Sequence, residues 1–174
     1  QFWIVASGPN GASPHHEPGD RTIRSGDTVI VDFGGKLGGY CSDVSRTFSV
    51  GEPTARAVEV HAIVAEAQAS GRAAATVGTP CEDVDAACRQ VIADAGYGEF
   101  FIHRTGHGIG MDGHEAPYLV EGNTQRLEPG MAFSIEPGIY LPGELGVRIE
   151  DICVADERGV MVLNQADRSL VTVE

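Results

Sequence analysis

The apolar positions of this chain change their period along its length, from short runs to helical spacing. Phe2 to Ala6 and Thr28 to Phe33 are brief apolar runs that predict strands, and a further strand is predicted from Tyr40 to Val50. Ser7 to Asp27 is rich in Gly, Pro, Asn and Ser and predicts a long ordered loop, whereas Gly34 to Gly39 predicts a turn. The second and third strands therefore form a predicted hairpin.

Helical spacing of apolar residues begins after this hairpin. One helix is predicted from about Pro53 to Ser70, with Gly71 ending it. A second is predicted to begin at the sequence TPCE, residues 79–82, with threonine as the N-cap, proline first in the helix and glutamate completing a capping box. Gly96 would end this second helix.

A second hairpin is predicted beyond the helices. Its strands run from Ala132 to Glu136 and from Val147 to Ala155, and their connection carries Pro142 and Gly143. The order hairpin, helices, loop, hairpin predicts an α+β fold. A length of 174 residues suffices for one domain with its own core, so we expect residues 1–174 to form a single domain.

Composition narrows the class of protein. Acidic residues outnumber basic ones by 25 to 12, which argues against nucleic acid as a partner, and no apolar run is long enough to span a membrane. The four cysteines have no CxxC spacing and are expected to be buried free thiols, which favours a cytoplasmic protein. The sequence opens inside a strand without an initiator Met, so we expect a fragment of a longer chain.

Two aspartates lie on the arms of the first predicted hairpin. If its turn is centred between Leu37 and Gly38, Asp32 and Asp43 lie directly opposite one another, with Cβ atoms roughly 5 Å apart. A single acid in so acidic a chain is more often on a solvated face. Opposed like charges within apolar strands, however, are unfavourable unless a cation compensates them.

The second hairpin repeats this arrangement. Glu136 and Glu150 are equally distant from Gly143, so that they too would face each other, and Glu150 is surrounded by apolar residues. Four carboxylates in two matched pairs carry a charge that two divalent cations would neutralise. The sequence therefore predicts a dinuclear metal site.

The histidines add to this prediction. His103 and His107 are four residues apart in a glycine-rich segment, and in extended chain this even separation places both on one side. One imidazole among four carboxylates is an oxygen-rich donor set that favours Mn²⁺, with Fe²⁺, Co²⁺ and Zn²⁺ as alternatives. His15 and His114 lie on predicted loops that could border a cleft.

Five ordered motifs together resemble one protein family, and they are VDFGG, SDVSRTF, HRTGHGIGMDGHEAP, FSIEPGIY and VRIEDICVA. The chain is similar to the pita-bread metallopeptidases, which include methionine aminopeptidase, aminopeptidase P, prolidase and the non-metal enzyme creatinase. The similarity covers nearly all 174 residues and implies the pita-bread (creatinase/aminopeptidase-like) fold, with the N-terminal part of that domain lying outside this sequence.

The resemblance implies a ligand set for two ions. Asp43 and Glu150 would bridge both ions, Asp32 would serve one of them, and His107 with Glu136 the other. All five are present, which counts against a metal-free enzyme of the creatinase kind. Glu136 would also move a proton from water to the leaving nitrogen.

The resemblance also implies residues on the substrate side. His103 and His114 match catalytic and substrate-binding histidines, and His15 matches a histidine of an upstream motif that borders the substrate. Arg148, two residues before the last glutamate, either binds substrate or orients an acidic ligand.

Two features favour the proline-specific branch of the family. They are the arginine in VRIED and the segment ASGPNGASPHH. They predict an Xaa-Pro aminopeptidase or Xaa-Pro dipeptidase that acts on peptides, with a homodimer left open. Methionine aminopeptidase is the alternative among enzymes, and a pita-bread domain that binds without catalysis is the alternative of another class.

Overall fold

Strands dominate the part of the chain that the computed structural model describes, residues 2–174. Two α-helices stand between the first hairpin and the remaining strands, so the predicted α+β class is confirmed. The helices are α1 (Ala55–Ala74) and α2 (Cys81–Asp94), and short 3-10 helices span Gly8–Ala12 and Gly98–Phe100. The strands are β1 (Phe2–Ser7), β2 (Thr28–Leu37), β3 (Tyr40–Val50), β4 (Gly106–Gly108), β5 (Glu115–Leu119), β6 (Ala132–Ile135), β7 (Gly138–Leu141), β8 (Leu145–Arg148), β9 (Asp151–Asp156), β10 (Gly159–Val162) and β11 (Val171–Val173).

Three sheets position the site. One has the order β1-β2-β3-β11, the second β10-β9-β6-β4-β5, and the third is the pair β7-β8. All neighbours are antiparallel except β11, which lies parallel to β3. The hydrophobic core lies between the helices and the last two sheets, where Val64 and Ile92 pack with Ile135 and Ile149. Because successive strand residues face opposite sides, the residues that follow these isoleucines, Glu136 and Glu150, point away from the core.

The predicted register of the first hairpin is wrong by two residues. Leu37 pairs with Tyr40, so the turn is formed by Gly38 and Gly39, whose φ angles are 60° and 94°. Two successive residues with positive φ make the tight turn that glycines favour between strands. Asp32 therefore lies opposite Ser45, and Asp43 opposite Gly34. An even shift keeps both aspartates on one face of the sheet, as diagonal rather than direct neighbours.

The second predicted hairpin is divided between two sheets. β7 pairs with β8 around Gly143, and β6 pairs with β9. Both ladders keep one register, in which Gly138 lies opposite Arg148 and Ile135 opposite Asp151. Glu136 and Glu150 fall at the break between the ladders and are opposed in that register, as the position of Gly143 predicts.

The prediction that Gly71 ends the first helix is wrong. Helix α1 continues to Ala74, because Gly71 is a packing position rather than a cap. A Cβ atom at Gly71 would lie 2.4 Å from the sulfur of Cys88 on α2, so glycine allows the two helices to approach.

The predicted start of α2 is early by one residue, and the capping box does not form. Pro80 is the N-cap and makes no side-chain capping bond. The Thr79 hydroxyl instead shares a hydrogen bond with the Thr76 hydroxyl, and the Glu82 carboxylate accepts from the backbone N–H of Gly122. A local partner, Thr76, engages the Thr79 side chain, and a tertiary partner, Gly122, engages that of Glu82. Gly96 follows the end of α2 with a φ of 85°, as predicted.

Two expectations from composition can be compared with the structure. All four cysteines are free thiols as predicted, but only three are buried, since Cys41 is half-buried. Within residues 2–174, neither helix combines the length and the apolar character that crossing a bilayer requires.

Candidate metal centre

The predicted ligands converge on one cavity of about 890 Å³. Their side-chain donor atoms form overlapping groups whose members lie within 4.8 Å of one another. One group is Asp32, Asp43 and Glu150, and another is His107, Glu136 and Glu150. A third group joins Asp43 to His107 and His114, so the groups overlap at Asp43, His107 and Glu150.

Close strand packing brings these residues together. Asp32 and Asp43 come from β2 and β3, His107 from β4, Glu136 follows β6, and Glu150 lies between β8 and β9. The glycines on both sides of His107 are required by space. A Cβ on the residue before His107 would lie 1.9 Å from the carbonyl oxygen of Ser134, and one on the residue after it 2.3 Å from that of Ala116. Only glycine lets β4 lie this close to its neighbours.

Hydroxyl and guanidinium donors fix one oxygen of several acids. Ser45 Oγ donates to Glu150 Oε2 at 2.7 Å, and Ser134 Oγ donates to Glu136 Oε1 at 2.9 Å. Arg148 Nη2 donates to Asp32 Oδ2 at 2.6 Å. Two further carboxylate oxygens, Asp32 Oδ1 and Asp43 Oδ1, are buried and have no hydrogen-bond partner among the described residues.

His107 presents a lone pair to the acids. Its Nδ1 lies 3.0 Å from the carbonyl oxygen of Gly108, which can only accept, so Nδ1 carries the proton in the neutral ring. Nε2 then faces the carboxylates, 3.2 Å from Glu136 Oε1 and 3.9 Å from Asp43 Oδ2. A backbone partner on one ring nitrogen is the usual way to orient a metal-binding histidine.

Burial and mutual repulsion shift the pKa values of the acids apart. Burial first, and then the charges of Asp32 and Glu136, raise the pKa of Asp43 to about 7. Burial and the neighbouring acids likewise raise the pKa of Glu150 well above its ordinary value. Burial opposes ionisation of Glu136 too. The hydrogen bond that His107 donates from Nε2 when its ring is protonated, together with nearby positive groups, outweighs burial and lowers the pKa of Glu136 to about 2. The raised pKa values of Asp43 and Glu150 thus reflect repulsion among buried acids.

These features fit a pair of divalent cations. Orphaned buried oxygens cost free energy that a cation would recover, and cations would offset the repulsion that raises the pKa values of Asp43 and Glu150. Carboxylate oxygens with one imidazole suit Mn²⁺, Fe²⁺, Co²⁺ or Zn²⁺. The residues that could hold them are Asp32, Asp43, His107, Glu136 and Glu150.

The residues predicted to lie on the substrate side line the same cavity. His15 is on its exposed rim, and the His114 ring lies 3.9 Å from the His107 ring. His103 Nδ1 donates to the carbonyl oxygen of Arg104 at 2.7 Å, so its Nε2 accepts from Tyr140 Oη at 2.7 Å. Burial lowers the pKa of His103, which favours this neutral form. The roles of these histidines stay predictions.

Arg148 connects the ligands to the cavity wall, and it is only 2 % exposed. Besides Asp32, it donates to Ser45 Oγ and Tyr140 Oη, both at 3.0 Å. Arg148 thereby contacts Asp32 directly, and it is connected to Glu150 through Ser45 and to His103 through Tyr140. Whether it also binds substrate stays a prediction.

The sequence analysis missed Ser45, Ser134 and Tyr140. The correct register would have identified Ser45, which lies opposite Asp32. Ser134 and Tyr140 lie in the motif FSIEPGIY, but their partners are distant in sequence and no local pattern indicates them.

Known peptidases are similar to this chain in sequence. The profile of metallopeptidase family M24 matches residues 1–157. A probable dipeptidase, PepE, of Mycobacterium tuberculosis is 51% identical over 173 residues. The match covers 99% of this chain and 46% of the PepE chain. An Xaa-Pro dipeptidase of Lactobacillus delbrueckii subsp. lactis is 46% identical over 167 residues, covering 96% of this chain and 45% of its own.

A solved structure shows the same fold. The prolidase of Thermococcus sibiricus superposes with a TM-score of 0.96 at 54% identity, covering 98% of this chain and 47% of its own. The chain thus spans about half the length of the curated relatives and solved structures that it matches.

Proposed function

Because the chain belongs to metallopeptidase family M24, we propose that residues 1–174 form the catalytic domain of a dinuclear-metal hydrolase that cleaves an N-terminal Xaa-Pro bond. The observation that carries this proposal is the buried cluster of four carboxylates, with orphaned oxygens on Asp32 and Asp43. Relatives named Xaa-Pro dipeptidase and prolidase support the choice of bond.

Overlap between the donor groups supports the ligand assignment, since Glu150 belongs to two groups and Asp43 lies in one group with Asp32 and in another with His107. We assign Asp43 and Glu150 as the shared ligands, Asp32 to one ion, and His107 with Glu136 to the other. Mn²⁺ is the ion that we favour for this donor set. Two such ions, when bound, would supply charge neutralisation, an activated water and polarisation of the scissile carbonyl.

Glu136 is proposed to move the proton. Its lowered pKa keeps the carboxylate ionised and able to accept a proton from the attacking water. Ser134 Oγ donates to the Oε1 atom, which orients the carboxylate toward the cavity. The same group would return the proton to the leaving nitrogen.

The histidines are proposed to handle the substrate. His114 is exposed beside His107 and is positioned to donate a hydrogen bond to the oxygen on which negative charge develops. Both nitrogens of His103 are engaged within the protein, so it would border the substrate with its ring while Tyr140 fixes its tautomer. His15 would close the rim, and Arg148 would keep Asp32 oriented.

The shape and charge of the cavity support an amino-terminal substrate. The acids at its floor attract a free α-amine, and apolar groups, among them Ile4, Pro14 and Val120, line the walls and suit a proline ring. A domain that only bound a partner would have no need to crowd buried carboxylates. We extend the proposal to a cytoplasmic enzyme, in keeping with the acidic composition and free thiols.

Comparing substrates tests this function. With added Mn²⁺, the chain is expected to hydrolyse Met-Pro faster than Met-Ala, and the reverse preference would indicate a methionine aminopeptidase. His114→Ala should retain bound Mn²⁺ and lose at least about a hundredfold in kcat, as oxyanion donors do. His16→Ala is the control, because His16 neighbours His15 but does not line the cavity. Absence of any Mn²⁺-dependent hydrolysis, with metal bound, would favour a binding module.

A further inference from the structure

Strands β3 and β9 meet at the metal centre and then separate. Their main chains pair at one bridge, between Ser45 and Glu150, the residue just before β9. In this bridge the Glu150 N–H donates to the Ser45 carbonyl oxygen at 3.1 Å. Two residues further along each strand, antiparallel pairing would bring Asp43 opposite Ile152 and join them directly. No direct hydrogen bond joins those two residues within the described chain.

The carboxamide of Asn164 occupies this position instead. Its Nδ2 donates to the carbonyl oxygen of Asp43 at 2.9 Å, and its Oδ1 accepts from the backbone N–H of Ile152 at 2.6 Å. The neighbouring Leu163 N–H donates to the Ile152 carbonyl oxygen at 2.9 Å. One interstrand hydrogen bond is thus replaced by two in series through a side chain, which holds the strands further apart than direct pairing would.

The segment that carries Asn164 is itself firmly held. Arg168 donates to the Asn164 carbonyl oxygen at 3.2 Å and to Asp151 Oδ2 at 2.5 Å. Arg46 donates to the carbonyl oxygens of both Ala166 and Asp167, at 2.9 and 2.8 Å. Strand β11 then joins the sheet beside β3. The amide therefore has little freedom to move, as a spacer requires.

We propose that Asn164 is a positioning residue whose carboxamide sets the separation between Asp43 and Glu150. The inference rests on the proposed function, in which these two residues are the ligands shared by two ions. Asn164 touches the main chain of Asp43 and of Ile152, which lies two residues after Glu150, so it acts on the ligands through their strands. It lies beyond residue 157, where the family match ends.

Two substitutions and a matched control test this proposal. Asn164→Ala removes both hydrogen bonds without adding charge, and Asn164→Gln keeps the amide but lengthens its reach. Asn123→Ala is the control, because the Asn123 amide also joins two main-chain groups, the Tyr118 carbonyl oxygen and the Gln125 N–H, on an exposed turn. Each chain is titrated with Mn²⁺ by calorimetry, and the Mn–Mn coupling is recorded by electron paramagnetic resonance.

We expect Asn164→Ala to weaken binding of the second Mn²⁺ at least about tenfold and the first less than about threefold, with the coupling signal lost. Asn164→Gln should bind two ions with altered coupling, and Asn123→Ala should match the wild type. Two ions bound by Asn164→Ala with unchanged affinity and coupling would overturn the proposal. So would equal weakening of both ions alongside a lowered Tm, which indicates a merely structural role. A wild-type chain that binds no ion pair would instead refute the proposed function itself.

Discussion

Replacing a proposed ligand should make the metal-free protein more stable. In Asp43→Asn one of four clustered carboxylates becomes a neutral group of the same shape. Burial and the charges of Asp32 and Glu136 raise the pKa of Asp43 from 3.8 to about 7, so ionising it in the folded state costs free energy that the amide does not incur. A binding site that is strained without its ligand has this property.

The size of the effect follows from the pKa shift. A difference of about 3 units, at about 1.4 kcal/mol per unit, gives an upper limit of about 4 kcal/mol. Below pH 3.8 the carboxyl is protonated in both folded and unfolded chains, so no penalty exists. The penalty grows as pH rises and the unfolded chain ionises first, and it is complete above about pH 7, where the folded chain ionises too.

Urea unfolding with a chelator present measures this. At pH 8 we expect Asp43→Asn to unfold at higher urea than the wild type, by up to about 4 kcal/mol, and to match it near pH 3.5. Asp27→Asn is the control of opposite sign, because the hydrogen bond from Arg21 lowers the pKa of Asp27. Loss of the Asp27 carboxylate should therefore destabilise the folded chain at pH 8. An Asp43→Asn chain no more stable than wild type at pH 8 would refute the electrostatic reasoning.

Two other predictions concern metal and turnover. Arg148→Gln removes the guanidinium that orients Asp32 and should lower Mn²⁺ affinity or kcat by about 10- to 100-fold. Arg158→Gln, on an exposed turn, is the control and should change neither quantity. An active Arg148→Gln chain with normal Mn²⁺ affinity would contradict the assignment. Mn²⁺ binding at pH 6 should release protons, because the pKa values of Asp43 and Glu150 are raised, and a binding heat that is the same in buffers of different ionisation enthalpy would contradict this.

The proposed metal ligands could be predicted from the sequence because residues two apart in a strand lie on the same face of the sheet. The predicted register of the first hairpin was wrong by two residues. Because two is an even number, Asp32 and Asp43 still lie on one face of the sheet. Around Gly143, the proline and glycine in the connection set the register correctly. The predicted helix ends were wrong where tertiary contacts decide the structure. Gly71 packs against Cys88, and Glu82 accepts a hydrogen bond from Gly122.

Residues that act through distant partners were beyond the sequence analysis. Tyr140 meets His103 and Arg148 only after the sheets come together. Asn164 bridges Asp43 and Ile152, and a single asparagine in a polar segment has no periodicity that points to either. Such roles depend on where strands separate, which only the assembled fold reveals.

Anomalous X-ray diffraction from crystals grown with Mn²⁺ tests the central claim most directly. The account predicts two manganese peaks, roughly 3.5–4 Å apart, lying between the carboxylates of Asp43 and Glu150. A single peak, or peaks away from these residues, would contradict it.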